Sequence, residues 1–322
     1  MLDLAVGNAC GPCGPDISHF RFLVAAIGLL AIVSACTQLS PQQGGAAKAA
    51  LAAAPTVRVA ATLAATGEVT SPTRAFDVNE EVARLRAAFK REVRNRIVDT
   101  PNTERTWLVR AQAMVAASDL GIDRPQLLVV VDRNPGVQQL RLVLARPEGS
   151  WLSLGGTRVS TGQTGRFDYY VTPTGVFLHT DLILDWRAEG TYNEHHVRGL
   201  GIKGMRVWDF GWQTAAKGWG TQETGEIRLL LHATDPDYLQ RRLGYRASKG
   251  CVRISAEMNR FLDRYGVLDA DYERAAKDDQ RFAALLLPDR KPTPLAGDAL
   301  VIIDSLEPLP ATERVSSAAL SN

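Results

Sequence analysis

The hydrophobic positions of this 322-residue chain first follow a helical period. Between residues 78 and 97 large apolar side chains recur at steps of three and four, which predicts an amphipathic helix. These residues are Val78, Val82, Leu85, Phe89, Val93 and Ile97. A second helix is predicted from Glu104 to Leu120, with Gly121 closing it. Residues 76–122 therefore form a predicted helical segment.

The polar face of the first predicted helix is basic. Its basic residues are Arg84, Lys90, Arg91 and Arg94. Such a face is typical of a solvated helix surface, and it also fits contact with anionic lipid or wall polymer.

Short apolar runs replace the helical period from Gln126 onward. The predicted strands are 127–131, 139–144, 156–160, 169–171, 175–179, 227–232 and 299–304. Asn134-Pro135-Gly136 predicts a turn between the first two. Late helices are predicted over 256–265 and 271–286. Many short strands with late helices predict a mainly β domain with α additions over residues 126–305, followed by a loose tail over 306–322.

The first 75 residues have a different composition. The apolar run Phe22–Val33 is too short for a membrane-spanning helix, and it has the length of a signal-peptide core. Residues 37–75 are rich in Ala, Gln, Gly, Thr and Pro, which predicts a flexible linker. The run ends in Val33-Ser34-Ala35-Cys36, which resembles the lipobox of bacterial lipoproteins.

The lipobox resemblance implies that residues 1–36 are a signal peptide and that Cys36 is acylated. Cys36 would then anchor a periplasmic protein to a membrane. Thr37 in place of Asp favours the outer membrane by analogy with lipoprotein sorting. The alternative is plain cleavage after Ala35, which leaves Cys36 an incidental thiol.

Charge and cysteine content narrow the chemistry. The net charge of +2 and the lack of any nucleic-acid-binding motif give no reason to expect a nucleic-acid partner. Of the four cysteines, Cys10, Cys13 and Cys36 lie in or beside the leader. Cys251 is therefore the lone thiol of the body and has no intramolecular disulfide partner there. It is either a small buried apolar side chain or a functional thiol.

The sequence around Cys251 favours a functional thiol. The segment Ala247–Ile254 reads ASKGCVRI, so Lys249 and Arg253 flank the sulfur with positive charge. Positive charge favours the thiolate, which is the nucleophilic form. Gly250 permits a tight turn, and backbone N–H groups at Gly250 and Cys251 could stabilise an oxyanion.

His232 is the strongest candidate for a base that activates this thiol. It ends the apolar run Ile227–Leu231, nineteen residues before Cys251. A strand end holds a side chain rigidly at the edge of a cleft. The alternative role for His232 is a hydrogen-bonded structural histidine. His179, His195 and His196 are weaker candidates.

No metal or cofactor is expected for this chemistry. Glu194, His195 and His196 are potential ligands, but they lack a convincing ligand spacing.

Several motifs together resemble one enzyme family. The segment ASKGCVRI, with LLLHATDP upstream, resembles the catalytic region of L,D-transpeptidases, the YkuD-type domain. Val159–Gly162 and Thr172–Phe177 resemble two further strand motifs of that family, and Leu300–Ile303 its closing strand. The resemblance covers about 126–304. Lys249 departs from it, because many members have His at that position.

The resemblance implies a β-sandwich or barrel-like catalytic domain and specific roles for its residues. Cys251 would be the nucleophile and His232 the general base and acid. Ser248, Gly250 and Arg253 would shape the pocket and anchor substrate. The implied reaction transfers an acyl group from a peptidoglycan stem peptide through a thioester on Cys251. The products would be 3-3 cross-links or protein attached to the wall.

Two alternative functions remain open from the sequence. The same site would act as an L,D-carboxypeptidase or an amidase if water were the acceptor. The scaffold could also serve as an inactive peptidoglycan-binding lipoprotein. The Gly- and Trp-rich stretch 181–225 is interpreted as a cap over an extended peptide or sugar, or as a small core under a long loop. The sequence does not indicate an oligomeric state.

Overall fold

The computed structural model describes residues 76–309. The predicted signal peptide, Cys36, the linker and residues 310–322 of the tail lie outside the described residues. The helices are α1 Val78–Glu92, α2 Pro101–Ala116, α3 Ala256–Tyr265, α4 Ala270–Ala275 and α5 Gln280–Leu285. The strands are β1 Arg96–Ile97, β2 Gln126–Asp132, β3 Gln139–Ala145, β4 Leu152–Arg158, β5 Gly175–Leu178, β6 Trp186–Arg187, β7 Arg206–Ala216, β8 Thr224–Ala233, β9 Val252–Ile254 and β10 Ala299–Ile303.

The strands form two sheets. The first has the order β1-β4-β3-β2-β10-β5, and the second has the order β6-β7-β8-β9. The pairs β2–β10 and β8–β9 are parallel, and the other pairs are antiparallel. This arrangement confirms a mainly β fold with α additions. Within residues 76–309 the sheets do not close into a barrel, so the barrel-like form of the expectation is wrong.

The main core joins the two sheets. Alternate residues of β2 point to opposite faces, and both faces are covered. Leu127 and Val129 belong to a core cluster with Leu229 and Leu231 of the second sheet. Leu128 belongs to a separate cluster on the other face. The uninterrupted apolar run of β2 follows from this burial on both sides.

The two predicted helices pack against opposite faces of the first sheet. Helix α1 contributes to the main core, where Phe89 packs edge-on against Phe261 at 5.2 Å between ring centroids. Helix α2 contributes Trp107 and Val115 to the second cluster. The predicted helical segment thus shares its cores with the strands of the predicted catalytic domain. No helix among the described residues is both long and apolar enough to cross a membrane.

Helix α1 ends five residues earlier than its apolar period predicts. The Asp77 side chain caps its start by accepting from Asn79 N at 2.8 Å. At the other end, Arg96 donates to the carbonyl oxygens of Lys90 and Val93 at 2.6 and 2.8 Å. Residue Asn95 has φ 52°, which turns the chain into β1. Side-chain capping of the last carbonyls therefore ends the helix.

The Gly- and Trp-rich stretch 181–225 is not one long loop. It contains β6 and the eleven-residue β7, in which Trp208 is fully buried. The pairing of β7 with β8 shifts register between Asp209 and Trp212, and Gly211 there has φ 76°. This bulge breaks the alternation of apolar and polar residues, so the sequence pattern did not reveal a strand.

Three smaller expectations also differ from the structure. Residues 169–171 form no strand beyond an isolated bridge from Tyr170 to Lys217. The predicted helix 271–286 is two helices, because Asp279 caps a new start by accepting from Arg281 N at 2.8 Å. Strand β9 was not predicted, and it is only three residues long.

Candidate active site

The turn before Cys251 lies against the segment that follows β4. Ser160 and Arg253 exchange two backbone hydrogen bonds, each 2.9 Å long. The N–H groups of Ala247 and Ser248 both donate to the carbonyl of Thr161 at 3.0 Å. Backbone bonds therefore hold the Val159–Gly162 motif along the Ala247–Arg253 segment, although about ninety residues separate them in the chain.

The Thr172–Phe177 motif joins the same turn through a single hydroxyl. Thr172 Oγ1 donates to the carbonyl of Gly250 at 2.6 Å and accepts from Gly162 N at 2.8 Å. A Cβ atom at Gly162 would lie 1.9 Å from the carbonyl oxygen of Tyr170, so only glycine fits. Three separated motifs thus meet at one place. Thr172 connects them, and it was not identified as a site residue from the sequence, although it is the first residue of the TPTG motif.

Ser248 and Gly250 build the turn that presents Cys251. Ser248 Oγ accepts from Gly250 N at 3.1 Å and donates to the carbonyl of Cys251 at 2.6 Å. Gly250 has φ 135°, a conformation that side-chain-bearing residues rarely adopt. The Gly250 N–H is therefore bonded within the turn, and its role toward an oxyanion stays a prediction. Both residues shape the turn.

Sheet register places His232 beside the strand that follows Cys251. In the parallel pair β8–β9, His232 is the Cα partner of Arg253. Paired residues of adjoining strands point to the same face, so the side chains of His232 and Arg253 share one. Cys251 lies immediately before β9, and its Sγ contacts the carbonyl of Arg228, four residues before His232 on β8.

His232 is held in the form that a general base needs. Its side chain is buried, and Nδ1 lies 2.8 Å from the carbonyl oxygen of Ala233. A carbonyl only accepts hydrogen bonds, so Nδ1 carries the proton and Nε2 keeps a lone pair. Burial, and then the positive charge of Arg253, lower the pKa of His232 to about 4. The imidazole is therefore neutral at pH 7.

Cys251 is a half-buried thiol in its resting state. Its Sγ donates to the carbonyl of Arg228 at 3.6 Å. Burial raises the pKa of Cys251, although the N–H of Leu230 and the charge of Arg253 act in the opposite direction. The charge of Arg253 therefore favours the thiolate, and burial opposes it.

Lys249 does not act on the sulfur because it is bound elsewhere. Its Nζ lies 2.8 Å from a carboxylate oxygen of Asp168, and both side chains are exposed. This pair raises the pKa of Lys249. The sequence gives no signal for the partner, since Asp168 lies eighty-one residues away in an irregular loop.

Arg253 leaves one polar group without a partner. It donates from Nη1 to the carbonyl of Ala247 at 3.1 Å. Its Nε is buried and has no hydrogen-bond partner among residues 76–309. Burial lowers the pKa of Arg253, but a guanidinium remains charged at pH 7. A buried, unpaired donor is costly, and a carboxylate or carbonyl of a bound ligand would satisfy it.

Aromatic side chains flank the Cys251 turn. Trp219 lies between Phe167 and Tyr170, with ring centroids at 5.3 and 5.0 Å. Tyr170 N donates to the carbonyl of Lys249 at 3.1 Å, which ties this group to the turn. We call Phe167, Tyr170 and Trp219 the aromatic rim. Of the tryptophans proposed as a cap, Trp208 is buried in the core and Trp219 belongs to the aromatic rim.

The other histidines do not join the site. His179 is fully buried and bonded to Asp185 at 2.9 Å. His195 and Glu194 are exposed and lie 3.6 Å apart. Among the described residues no group of three His, Cys, Asp or Glu side chains is arranged to hold a metal ion.

Comparisons with known proteins leave the class of the chain open. No family model matches it, and no curated protein is significantly similar to it in sequence. Its function is therefore inferred from the residues described above.

Proposed function

We propose that this protein is a cysteine acyltransferase of the L,D-transpeptidase type, with Cys251 as nucleophile and His232 as base. One observation carries the proposal. The three motifs that resemble the family converge, through buried hydrogen bonds, on the turn that presents Cys251. A purely structural thiol would not require, on the adjoining strands, a neutral histidine paired with an arginine whose buried Nε has no partner among the described residues.

The acylation step starts from two neutral groups. As Sγ attacks the carbonyl carbon of the donor peptide, a C–S bond forms and His232 Nε2 takes the thiol proton. The tetrahedral intermediate then breaks its C–N bond. His232 returns the proton to the departing amine, which leaves the acyl group as a thioester on Cys251.

The second step resolves the thioester. An acceptor amine attacks the thioester carbonyl and gives up a proton to His232. The C–S bond breaks, and the leaving thiolate regains that proton. A raised thiol pKa suits this concerted proton transfer, because the site does not store a thiolate between turnovers.

Arg253 is the proposed substrate anchor. Its buried Nε needs an acceptor, and its positive charge favours a carboxylate. Stem peptides of peptidoglycan carry such carboxylates. In this proposal the two-sheet body is a YkuD-type β-sandwich, and the chain acts in the periplasm from a lipid anchor at Cys36.

Intact-mass analysis after incubation with a disaccharide-tetrapeptide tests the proposal. The full chain should gain the mass of the donor acyl group, and Cys251→Ala should not. His195→Ala is a matched control, because that histidine is exposed and lies outside the site. If the wild-type chain binds the peptide but forms no adduct, the protein is a peptidoglycan-binding protein and not an acyltransferase.

The reaction products show whether the acceptor is an amine or water. Cross-linked stem peptides indicate transfer to an amine. Free tripeptide indicates hydrolysis, which would make the protein an L,D-carboxypeptidase with the same nucleophile.

A further inference from the structure

A second concave site lies away from Cys251. Its volume is about 560 Å³, within the range of ligand pockets. The end of α1, strands β1 and β4, and the segment 240–243 surround it. Four arginines line it, and they are Arg94, Arg96, Arg158 and Arg241. None of its described lining residues is an aspartate or glutamate.

Three of these guanidinium groups have no partner within the described chain. Arg96 caps the carbonyl end of α1. Arg94, Arg158 and Arg241 form neither an ion pair nor a side-chain hydrogen bond with any residue in 76–309. Some arginines elsewhere among the described residues are paired, as Arg84 is with Glu81 at 2.6 Å. Like charges around one cavity repel, so an anion that enters it is attracted by all of them.

Two further groups in the same cavity define the ligand more narrowly. Ser255 lines the cavity and caps the start of the ten-residue helix α3, whose N-terminus carries partial positive charge. The side chain of Gln240 also lines it, and the buried Oε1 atom has no hydrogen-bond partner among the described residues. That oxygen only accepts, so a ligand hydroxyl would satisfy it.

We propose that this arginine cavity binds a phosphate group whose carrier also bears a hydroxyl. Guanidinium groups match phosphate oxygens in geometry and charge. The site does not depend on the proposed acyl transfer, because neither His232 nor any residue of 247–251 lines the cavity. The chemistry is shared by soluble phosphorylated sugars or glycerols and by lipid headgroups.

Titration calorimetry on the full chain at low ionic strength tests the proposal. The probes are glycerol 3-phosphate, inorganic phosphate and glycerol. Glycerol 3-phosphate should bind, glycerol should not, and binding should weaken as salt rises. The triple variant Arg94→Gln, Arg158→Gln, Arg241→Gln should weaken binding at least about tenfold, which corresponds to the loss of one charge-assisted contact.

A matched triple variant controls for net charge. Arg105→Gln, Lys277→Gln and Lys291→Gln remove the same charge from exposed side chains outside the cavity. Equal weakening by both triples would overturn the proposal, since only total charge would then matter. If the arginine triple lowers the melting temperature, Arg241→Gln alone serves as the test, because it lies in a short turn.

Vesicle sedimentation separates the two sources of phosphate. Vesicles of phosphatidylcholine are compared with vesicles that also contain phosphatidylglycerol. Arginine-dependent sedimentation without calorimetric binding assigns the cavity to a lipid headgroup. Calorimetric binding alone assigns it to a soluble phosphorylated ligand. Binding in neither assay overturns the proposal.

Discussion

His179 and His232 are both buried, but they lie among different polar partners. The ring of His179 is bonded at both nitrogens, to the carbonyl of Leu268 at 2.7 Å and to Asp185 at 2.9 Å. Both partners accept, so both ring nitrogens carry protons. Burial alone would lower the pKa of His179, but the charge and hydrogen bond of Asp185 outweigh it and raise this pKa. His232 has a backbone carbonyl as partner instead, and its pKa falls to about 4.

The comparison distinguishes a structural ion network from the candidate active site. Asp185 also accepts from Arg206 Nε at 2.8 Å and from Asp209 N at 2.9 Å, so its lone pairs are satisfied. Arg206 in turn lies 3.5 Å from Asp269. The charged groups of this network are bonded to one another. The network links the segment before β6 to the start of β7 and to the residues that follow α3. Around His232, by contrast, the ring Nε2 keeps a free lone pair and Arg253 Nε keeps a free N–H. Both groups are available to a substrate.

The largest expected effect is on catalysis, and it comes from His232. His232→Gln should lower the rate constant for acylation by roughly 10²–10⁴-fold, the usual contribution of a general base. His195→Gln should leave the rate unchanged. The measurement is the rate of thioester formation by intact mass under saturating donor. A variant that acylates at the wild-type rate would remove His232 from the mechanism and make it structural like His179.

Asp185→Asn should have the largest effect on stability. It removes the carboxylate that binds His179 and one of the carboxylates around the buried Arg206, which costs about 3–5 kcal/mol of unfolding free energy. The rate of acylation at a temperature where the variant is folded should change little. Denaturant unfolding monitored by tryptophan fluorescence measures the loss. Glu223→Gln breaks an exposed pair with Lys217 and should leave the midpoint nearly unchanged. A small effect of Asp185→Asn would mean that the network contributes little to the fold.

The pH dependence of stability should differ between the two histidines. Folding lowers the pKa of His232 from about 6.5 in the unfolded chain to about 4. Its contribution to the free energy of unfolding is therefore fully present above about pH 6.5 and is lost as pH falls toward about 4. The difference of about 2.5 units corresponds to about 3 kcal/mol. His179 has a raised pKa, so its contribution is full below about 6.5 and is lost as pH rises through its folded pKa.

His232→Gln isolates the first of these contributions. The variant should lose less unfolding free energy than the wild-type chain between pH 7 and pH 4, by about 3 kcal/mol. Urea unfolding at both pH values measures this difference. If the unfolding free energies of the wild-type chain and of His232→Gln change equally with pH, His232 is not a buried neutral side chain in solution.

The sequence predicted those features that depend on local pattern. The uninterrupted apolar runs of β2 and β10 are visible because burial on both faces leaves no polar positions within them. Strand β7 is not visible, because the bulge at Gly211 breaks its period and its aromatic residues resemble a loop. Electrostatic effects are limited in the same way, because a charged residue close to Cys251 in sequence need not lie close to its sulfur in the fold.

The candidate site shows this difference in its own residues. The position of Cys251 beside the strand that carries His232 follows from motifs that the sequence displays. Lys249 lies two residues from Cys251, but Asp168 pairs with it, and no sequence pattern indicates that partner. Burial then shifts the pKa of both the thiol and the imidazole. Burial is a property of the folded chain, so these shifts could not be read from the sequence.

Trp219→Ala should have the smallest effect, and it tests the aromatic rim. The rings of Phe167 and Tyr170 both contact Trp219, so its removal loosens the flank of the Cys251 turn. An aromatic contact of this kind is worth about 1 kcal/mol, so KM should rise by roughly fivefold while kcat is unchanged. Phe76→Ala is the control, because that side chain is exposed just before α1. If kcat falls instead, the rim supports the geometry of the turn. If neither constant changes, substrate does not reach Trp219.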